Sequence, residues 1–482
     1  MCINNQILIP THNCLILGKP SLQKYNKLII PYILKIIDSE ESFLAIDTDG
    51  IMLNRLGTKL SKEGYSIVSI NLRNTEKSIA WNPLALPLKA YQNNNYELCV
   101  NQLMDIASFI MAGTSGKKSE DPFWELSAAD LFVGLSLILF KEAKEECEIN
   151  IKSIYQMAQT GFSRFATSTI INQYLTDSTP ELEKIKNTMS TVLAAPNETR
   201  QSILSVFFQQ LRPLTNKDAF LNNMCSGNFE IEQICQRKTA VFLCYEDENA
   251  INLPIIKIFI KQAFGELVKQ HCAFCESQFR FHFILNDFLL LGSIPDIERF
   301  IVSGNKHGID FLIDANSMVL FKKIYGDETT EFLIAYCQEW IVMASKEIEL
   351  LKKVKQFMEN IEDFSDSLKS PYFLSENEIL AIKDSECAKI VSIEDINYLE
   401  EEFDYLPPST TEKITKVFDI KSLVEDRKRD EIMEQLSKGN NFAFNSEINT
   451  PKNLDVDELV DRIDKKIAAL ELQEQIEKAR GL

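Results

Sequence analysis

Glycine and proline are scarce in this chain, 16 and 15 in 482 residues, against average usage of about 7% and 5%. Collagen-like repeats are therefore excluded, and no internal repeat is visible. Positive charge is also short. Lys and Arg total 51 against 70 Asp and Glu, a net charge of −19, which argues against a protein that wraps duplex DNA with its outer surface. Nucleic acid held in an internal channel between subunits stays open. No long apolar run reads as a membrane span, since the best stretch, residues 131–140, is about half of the ~20 needed. The N-terminus lacks the basic region and apolar core of a signal peptide, and Cys2 stands where myristoylation needs glycine. The eleven cysteines are scattered and odd in number, so a reduced, cytoplasmic setting is expected. His271-Cys272-Ala273-Phe274-Cys275 is the one close Cys/His cluster. With no second pair at metal spacing it reads as a helix terminus, and no metal site is expected.

What is present is a globular profile, 45% hydrophobic and 25% charged, with length for two to four domains. Residues 6–18 read as a short hairpin or strand pair and residues 27–37 as a helix. The run Ser42-Phe43-Leu44-Ala45-Ile46-Asp47 reads as a buried parallel strand. A helix at 54–63 and a strand at 65–72 follow, the α/β pattern of a parallel sheet. From 95 to 235 long stretches of 3.6-residue period replace it, with no convincing strand. Strands return at 240–244, 280–285 and 310–313, with helices at 254–270 and 297–302. The chain is accordingly divided into 1–94, 95–235, 236–350 and 351–482. The last quarter holds 30 acidic and 19 basic residues, over half of the net charge. It is expected to be a helical acidic tail, with a linker at 407–411 (Pro407-Pro408-Ser409-Thr410-Thr411). Within it, 416–420 offers a short apolar anchor, and 455–480 an amphipathic helix for a partner or for the chain's own core.

One motif carries chemistry. The strand Cys14-Leu15-Ile16-Leu17 runs into Gly18-Lys19-Pro20-Ser21-Leu22-Gln23-Lys24-Tyr25 and then a helix, the setting of a phosphate-binding loop G-x-x-x-x-G-K-[ST]. Gly18 and Lys24 stand at the correct spacing. Gln23 replaces the second glycine and Tyr25 the hydroxyl residue. A strand ending in glycine with a lysine six residues on is also common without any phosphate.

The surrounding sequence is more specific. Gly18 to Pro31, then Asp47-Thr48-Asp49-Gly50, Gly64-Tyr65 and Ser78-Ile79-Ala80-Trp81-Asn82-Pro83-Leu84 resemble, in order, the opening of the type IV secretion coupling proteins, the TraG/TraD group of hexameric DNA-pumping ATPases. Asp121-Pro122-Phe123-Trp124, Ala195-Pro196-Asn197-Glu198-Thr199-Arg200, Lys238-Thr239-Ala240-Val241-Phe242, residues 283–295, Asn316-Ser317 and Tyr325-Gly326 continue the match to about residue 345. The resemblance implies a RecA-like P-loop nucleotide-binding domain, an all-α domain inserted in it, and a nucleotide site comprising Gly18, Ser21, Gln23, Lys24, Tyr25, Asn286 and Asn316. ATP and magnesium are the cofactors it implies.

The departures fall on that chemistry. Asn286 stands where the family has a magnesium-associated Asp, and Asp287 stands for the Glu that orients the attacking water, a degenerate catalytic position. The family's R-x-x-G-I, which supplies an arginine for the transition state, reads Asn305-Lys306-His307-Gly308-Ile309. The Gln of the next strand is Asn316, and Asp49 replaces a turn lysine. Magnesium needs hard oxygen ligands, Cβ atoms at Ser21 and Gln23 hinder a loop that curls round phosphate, and a lost arginine finger alone is worth about 10³–10⁵ in rate. These losses argue against both ATP and magnesium. The expected function is an ATPase-deficient subunit or substrate-recruiting adaptor in a conjugative DNA transfer system; the alternative is an active DNA or protein translocase with an unorthodox site. Implied partners are secretion components or an intact coupling-protein relative in a homo- or hetero-hexamer, and a relaxase or other protein substrate bound through the tail. DNA would be met only in an oligomeric channel. The chain starts a few residues before its first strand, without the family's membrane anchor, so a cytoplasmic or peripheral inner-membrane location is expected.

Overall fold

The computed structural model describes residues 12–19, 24–113, 121–165, 168–176, 179–216, 218–225, 229–246, 250–273, 280–358, 374, 378–383, 387–392 and 415–442. The chain forms two units, 1–421 and 422–482. The second is described only for part of the helix Ile420–Phe442, and the account below concerns the first.

Its centre is a nine-stranded sheet. The strands are β1 (Cys14–Leu17), β2 (Ser42–Ile46), β3 (Ser66–Asn71), β6 (Thr239–Cys244), β7 (Phe281–Leu285), β8 (Ile309–Ala315), β9 (Glu339–Met343), β10 (Glu378–Lys383) and β11 (Cys387–Ser392). A separate two-strand hairpin, β4 (Arg164–Phe165) with β5 (Ser168–Thr169), lies elsewhere. The spatial order is β11-β10-β9-β1-β8-β7-β2-β6-β3, parallel from β9 to β3 and antiparallel at β10 and β11. Strands buried on both faces read as continuous apolar runs rather than alternating ones, and β1, β2, β6, β7 and β8 are buried along their whole length.

One face of the sheet is covered by the helices Ile30–Asp38 and Ile51–Lys62. Ile30, Ile33, Ile36 and Ile37 recur at helical spacing and pack with Ile16, Phe43, Phe242, Ile284 and Leu312. Adjacent residues point to the opposite face. There Phe283 stacks on Phe311 at 5.1 Å, and Phe264 of the helix Leu253–Ala273 stacks on Phe300 of the helix Ile297–Lys306 at 4.3 Å.

Between Tyr96 and Cys235 the described elements are helices apart from the β4–β5 hairpin. The helix Phe123–Glu142 is apolar on every side, and all but one residue from Ser127 to Phe140 is buried. At 20 residues it is long and apolar enough to cross a membrane, longer than the ten-residue run read from the sequence, but the helices Tyr96–Met111 and Asn197–Thr215 enclose it. A helix without a polar face is buried in protein or in lipid, and here protein covers it. The sequence motif 78–84 joins this region to the sheet. Trp81 meets Phe259 edge-on at 4.8 Å, and the Asn82 amide donates to the carbonyls of Ile149 at 2.7 Å and Cys225 at 3.3 Å.

Several expectations need correction. The region 351–482 is not a purely helical tail: after the helix Ile348–Met358, β10 and β11 extend the sheet beyond β9, with Ile379, Leu380, Ala381 and Ile382 buried. A four-residue apolar run is too short to separate strand from helix by period, and pairing with β9 decides it. The 416–420 anchor is used within the chain. Phe418 and Ile420 are buried, the Phe418 amide donates to Ser153 Oγ at 3.0 Å, and Lys416 pairs with Glu145 at 2.6 Å. Of the strand pair expected at 6–18, the described part is β1 alone. The linker at 407–411 and the helix at 455–480 lie outside the described residues.

Leu380 is 1% exposed in β10. Leu380→Ala is expected to lower unfolding stability by about 2–4 kcal/mol, the cost of truncating a core leucine, in urea titration of the full chain. A change within ±0.5 kcal/mol, the range of surface substitutions, would return this segment to an exposed arm.

Candidate functional site

The connection from β1 leaves toward β2, on one side, while β8 feeds β9 on the other side of β1. Adjacent parallel strands whose connections diverge open a crevice at their carboxyl ends, where ligands bind in such sheets. Gly18 and Lys24 follow β1, and Asp314 lies in β8 opposite Ile16 of β1. Gly18 ends β1 with φ of +118°, a left-handed conformation. An added Cβ would come within 2.9 Å of the Met343 carbonyl at the end of β9, so glycine is required at this position by both backbone and space. Ser21 and Gln23 lie outside the described residues.

Lys24 heads the helical segment after the loop, whose first turns, Tyr25–Ile29, are wound as π-helix, a geometry frequent at functional sites. Its ammonium is buried. It donates to both carboxylate oxygens of Asp314, at 2.7 and 2.9 Å, and to Asn316 Oδ1 at 2.6 Å. Three acceptors match the three donors of an ammonium. Asp314 is 0% exposed. Burial raises its pKa and the nearby Asp287 charge adds to this, so the net shift is upward although Lys24 pulls it down.

Asp287 follows β7 in a left-handed conformation, φ 49° and ψ 40°, which is uncommon outside glycine and a mark of functional turns. Its amide donates to Asp314 Oδ2 at 3.3 Å. Its carboxylate accepts from Asn316 Nδ2 at 3.0 Å and from Asn286 Nδ2 at 3.1 Å. The structure thus brings Lys24, Asn286, Asp287 and Asn316 into one network and joins them through Asp314, which the sequence reading did not single out. Two aspartates inside the apolar strand Ile309-Asp310-Phe311-Leu312-Ile313-Asp314-Ala315 were the available signal, because a buried carboxylate needs a partner.

The other positions lie apart. The Tyr25 hydroxyl is buried without a hydrogen-bond partner among the described residues. Burial and the charge of Asp47 push it upward, and Arg55, Asp49 and Cys244 are its other electrostatic neighbours. It therefore sits toward the end of β2, near Asp47. Asp47 accepts the amides of Met52 and Leu53 at 3.0 and 2.9 Å and so caps the first turn of the helix Ile51–Lys62. Asn305 accepts from Asn13 at 3.1 Å, at the amino edge of the sheet and across the fold from Lys24. A magnesium nucleotide needs a lysine facing phosphate and oxygen ligands for the metal. Here Lys24 faces a carboxylate, Asn286 turns a donor to Asp287, and the Tyr25 hydroxyl is buried without a hydrogen bond to either among the described residues. The described side chains do not fit that group as they stand.

A family model described as type IV secretory system conjugative DNA transfer matches residues 24–360. The chain belongs to that family. Solved coupling-protein structures agree in fold. The bacterial conjugative coupling protein TrwBdeltaN70, in an unbound monoclinic form, shares 12% identity at a TM-score of 0.59, over 84% of this chain and 92% of its own. Plasmid coupling protein TrwB in complex with the non-hydrolysable ATP analogue ADPNP gives 12% and 0.58, over 85% and 93%. TrwB in complex with ADP and Mg2+ gives 12% and 0.57, over 84% and 92%. At this identity they establish the RecA-like nucleotide-binding fold and no more. No curated protein sequence matches the chain.

Within this coupling-protein fold one more charge lies near the site. Lys257, on the helix Leu253–Ala273, is 9% exposed, with no hydrogen bond or ion pair among the described residues. Its ammonium lies against Gly292, in the turn that follows Asp287. Burial lowers its pKa to about 8. The unfolded chain, with the ordinary value near 10.4, binds more protons between these limits, so stability rises with pH from about 8 to 10.4 and the penalty is fully present below 8. Lys257→Met is expected to stabilise the fold at pH 7 by on the order of 2–3 kcal/mol and to remove that alkaline rise. Urea unfolding at pH 7 and pH 10 tests this; a variant less stable than wild type at pH 7 would contradict it.

Proposed function

We propose that this chain is a coupling-protein-like component of a type IV secretion or conjugative DNA transfer system that does not turn over ATP, acting as an ATPase-deficient subunit or as an adaptor that recruits substrate. The observation that carries this reading is the state of the Asp287 carboxylate, the one acid in the family's metal and water positions. Each of its oxygens accepts from an amide, Oδ2 from Asn286 and Oδ1 from Asn316. With Asp287 satisfied by two amides beside a neutral Asn286, and the neighbouring Asp314 engaged by Lys24, neither carboxylate is available to hold magnesium and aim water. Asn305, in the place of the transition-state arginine, adds no cation.

Under this reading an intact relative or another secretion component supplies the energy, the assembly is a homo- or hetero-hexamer, and DNA is met only inside its channel. Residues 95–235 serve as the inserted helical domain, and the C-terminal segment serves to bind a protein substrate. The full-length protein is expected to hydrolyse ATP no faster than a Lys24→Ala variant in a coupled phosphate-release assay with magnesium. Magnesium-dependent turnover above ~1 s⁻¹, the lower end of ordinary enzyme rates, that disappears in Lys24→Ala would refute the proposal.

A further inference from the structure

Lys24 keeps the position of the loop motif's lysine, and its ammonium already faces an anion of the chain. Its side chain is 4% exposed and that of Asp314 0%. Both carboxylate oxygens lie within 2.9 Å of Nζ, a two-oxygen grip by an anion on the cation that a phosphate would otherwise occupy. Asp314 is fixed from three directions. Its strand pairs with β1 through Ile16, Lys24 holds both its oxygens, and the Asp287 amide donates to Oδ2.

We propose that Asp314 is a built-in phosphate surrogate: a carboxylate on β8 that occupies Lys24 and makes residue 314 the determinant of whether this cleft accepts a nucleotide. It rests on the reading that the cleft does not turn over nucleotide and concerns the earlier step, binding. Two terms oppose a nucleotide. To reach Lys24 its phosphate must displace a fully buried carboxylate, leaving that charge without its cation in a low-dielectric site. Among the described side chains, the hydrogen-bonded group around Lys24 carries two carboxylates, Asp314 and Asp287, against the one ammonium of Lys24, so an incoming polyanion meets two negative charges beside that cation. An asparagine at 314 keeps the shape and the oxygen for Lys24 while removing the charge.

The test uses the full chain titrated with magnesium ADPNP by calorimetry, and with inorganic pyrophosphate in thermal melts. Wild type is expected to show no saturable binding. Asp314→Asn is expected to bind about 10–100-fold tighter than any residual wild-type affinity, the scale of coupling between close charges, and to lose that gain when Lys24→Met is added. Because removing the charge can weaken the fold, Asp314→Ala is melted in parallel; pyrophosphate should raise its melting temperature and leave wild type unchanged. Saturable wild-type binding as tight as that of Asp314→Asn would show the contact to be displaced freely and overturn the proposal. A folded Asp314→Asn that gains nothing, or a gain that persists with Lys24→Met, would overturn it too. Either result can stand alongside absent ATP hydrolysis, so it separates this inference from the proposed function.

Discussion

A lysine ammonium buried as deeply as that of Lys24 is several kcal/mol less costly to keep with an anion beside it than without one. In this chain the anion is internal. Lys24 reaches from the end of the β1 loop to Asp314 in the adjacent strand, and the arrangement of three loops follows from that pair. Asn316 lies within reach of Lys24 because it comes two residues after Asp314. Asp287 turns left-handed after β7 with its amide on Asp314 Oδ2, and its carboxylate then gathers the amides of Asn286 and Asn316. A crevice of the kind that receives ligands at diverging connections is thereby spanned by side chains of the protein itself.

The rest of the fold supplies rigidity to that pair. Isoleucines from the helix Ile30–Asp38 cover one face of the sheet and stacked phenylalanines cover the other, so β1 and β8 are packed on both faces. Gly18 allows β1 to end against the Met343 carbonyl without a Cβ between them. The β10–β11 extension covers the side of β9 that would otherwise be an unpaired edge. Motif residues shared with the family do structural work of the same kind, with Trp81 and Asn82 tying the helical region to the sheet side.

The parallel strands were legible because burial on both faces produces uninterrupted apolar runs such as Ser42-Phe43-Leu44-Ala45-Ile46, and the helices of 95–235 because most keep a 3.6-residue apolar period, while Phe123–Glu142, apolar on every side, is marked by its length instead. β10 was not legible. Ile379-Leu380-Ala381-Ile382 is too short for period to decide, it sits in the most acidic quarter of the chain, and its identity as a strand depends on β9, a partner far off in sequence. The β4–β5 hairpin is two residues per strand and carries no pattern. At the site, Lys24, Asn286, Asp287 and Asn316 were found through spacing and resemblance, and they do converge. Asp314 was missed because no motif points to a residue inside a strand, and its meaning appears only when β8 is set beside β1. Asn305 showed the reverse: a motif position in sequence that the fold places at the other edge of the sheet, beside Asn13.

Retaining the lysine of a phosphate loop is therefore a weak guide to retaining its chemistry. What a lysine does depends on the charge opposite it, and here that charge belongs to the chain. In a nucleotide-binding site the fold supplies the cation and the ligand supplies the anion, so affinity comes from a charge the empty protein leaves unanswered. Once a carboxylate on the neighbouring strand answers it, the same backbone gains an interaction that ties β1 to β8 with no ligand bound. Fold similarity to TrwB at 12% identity is compatible with either arrangement, since the strand order and the crevice survive both. The distinction lies in a single side chain at the end of β8, and the electrostatics of that position, more than the shape of the sheet, separate a site that waits for phosphate from one that already holds its own anion.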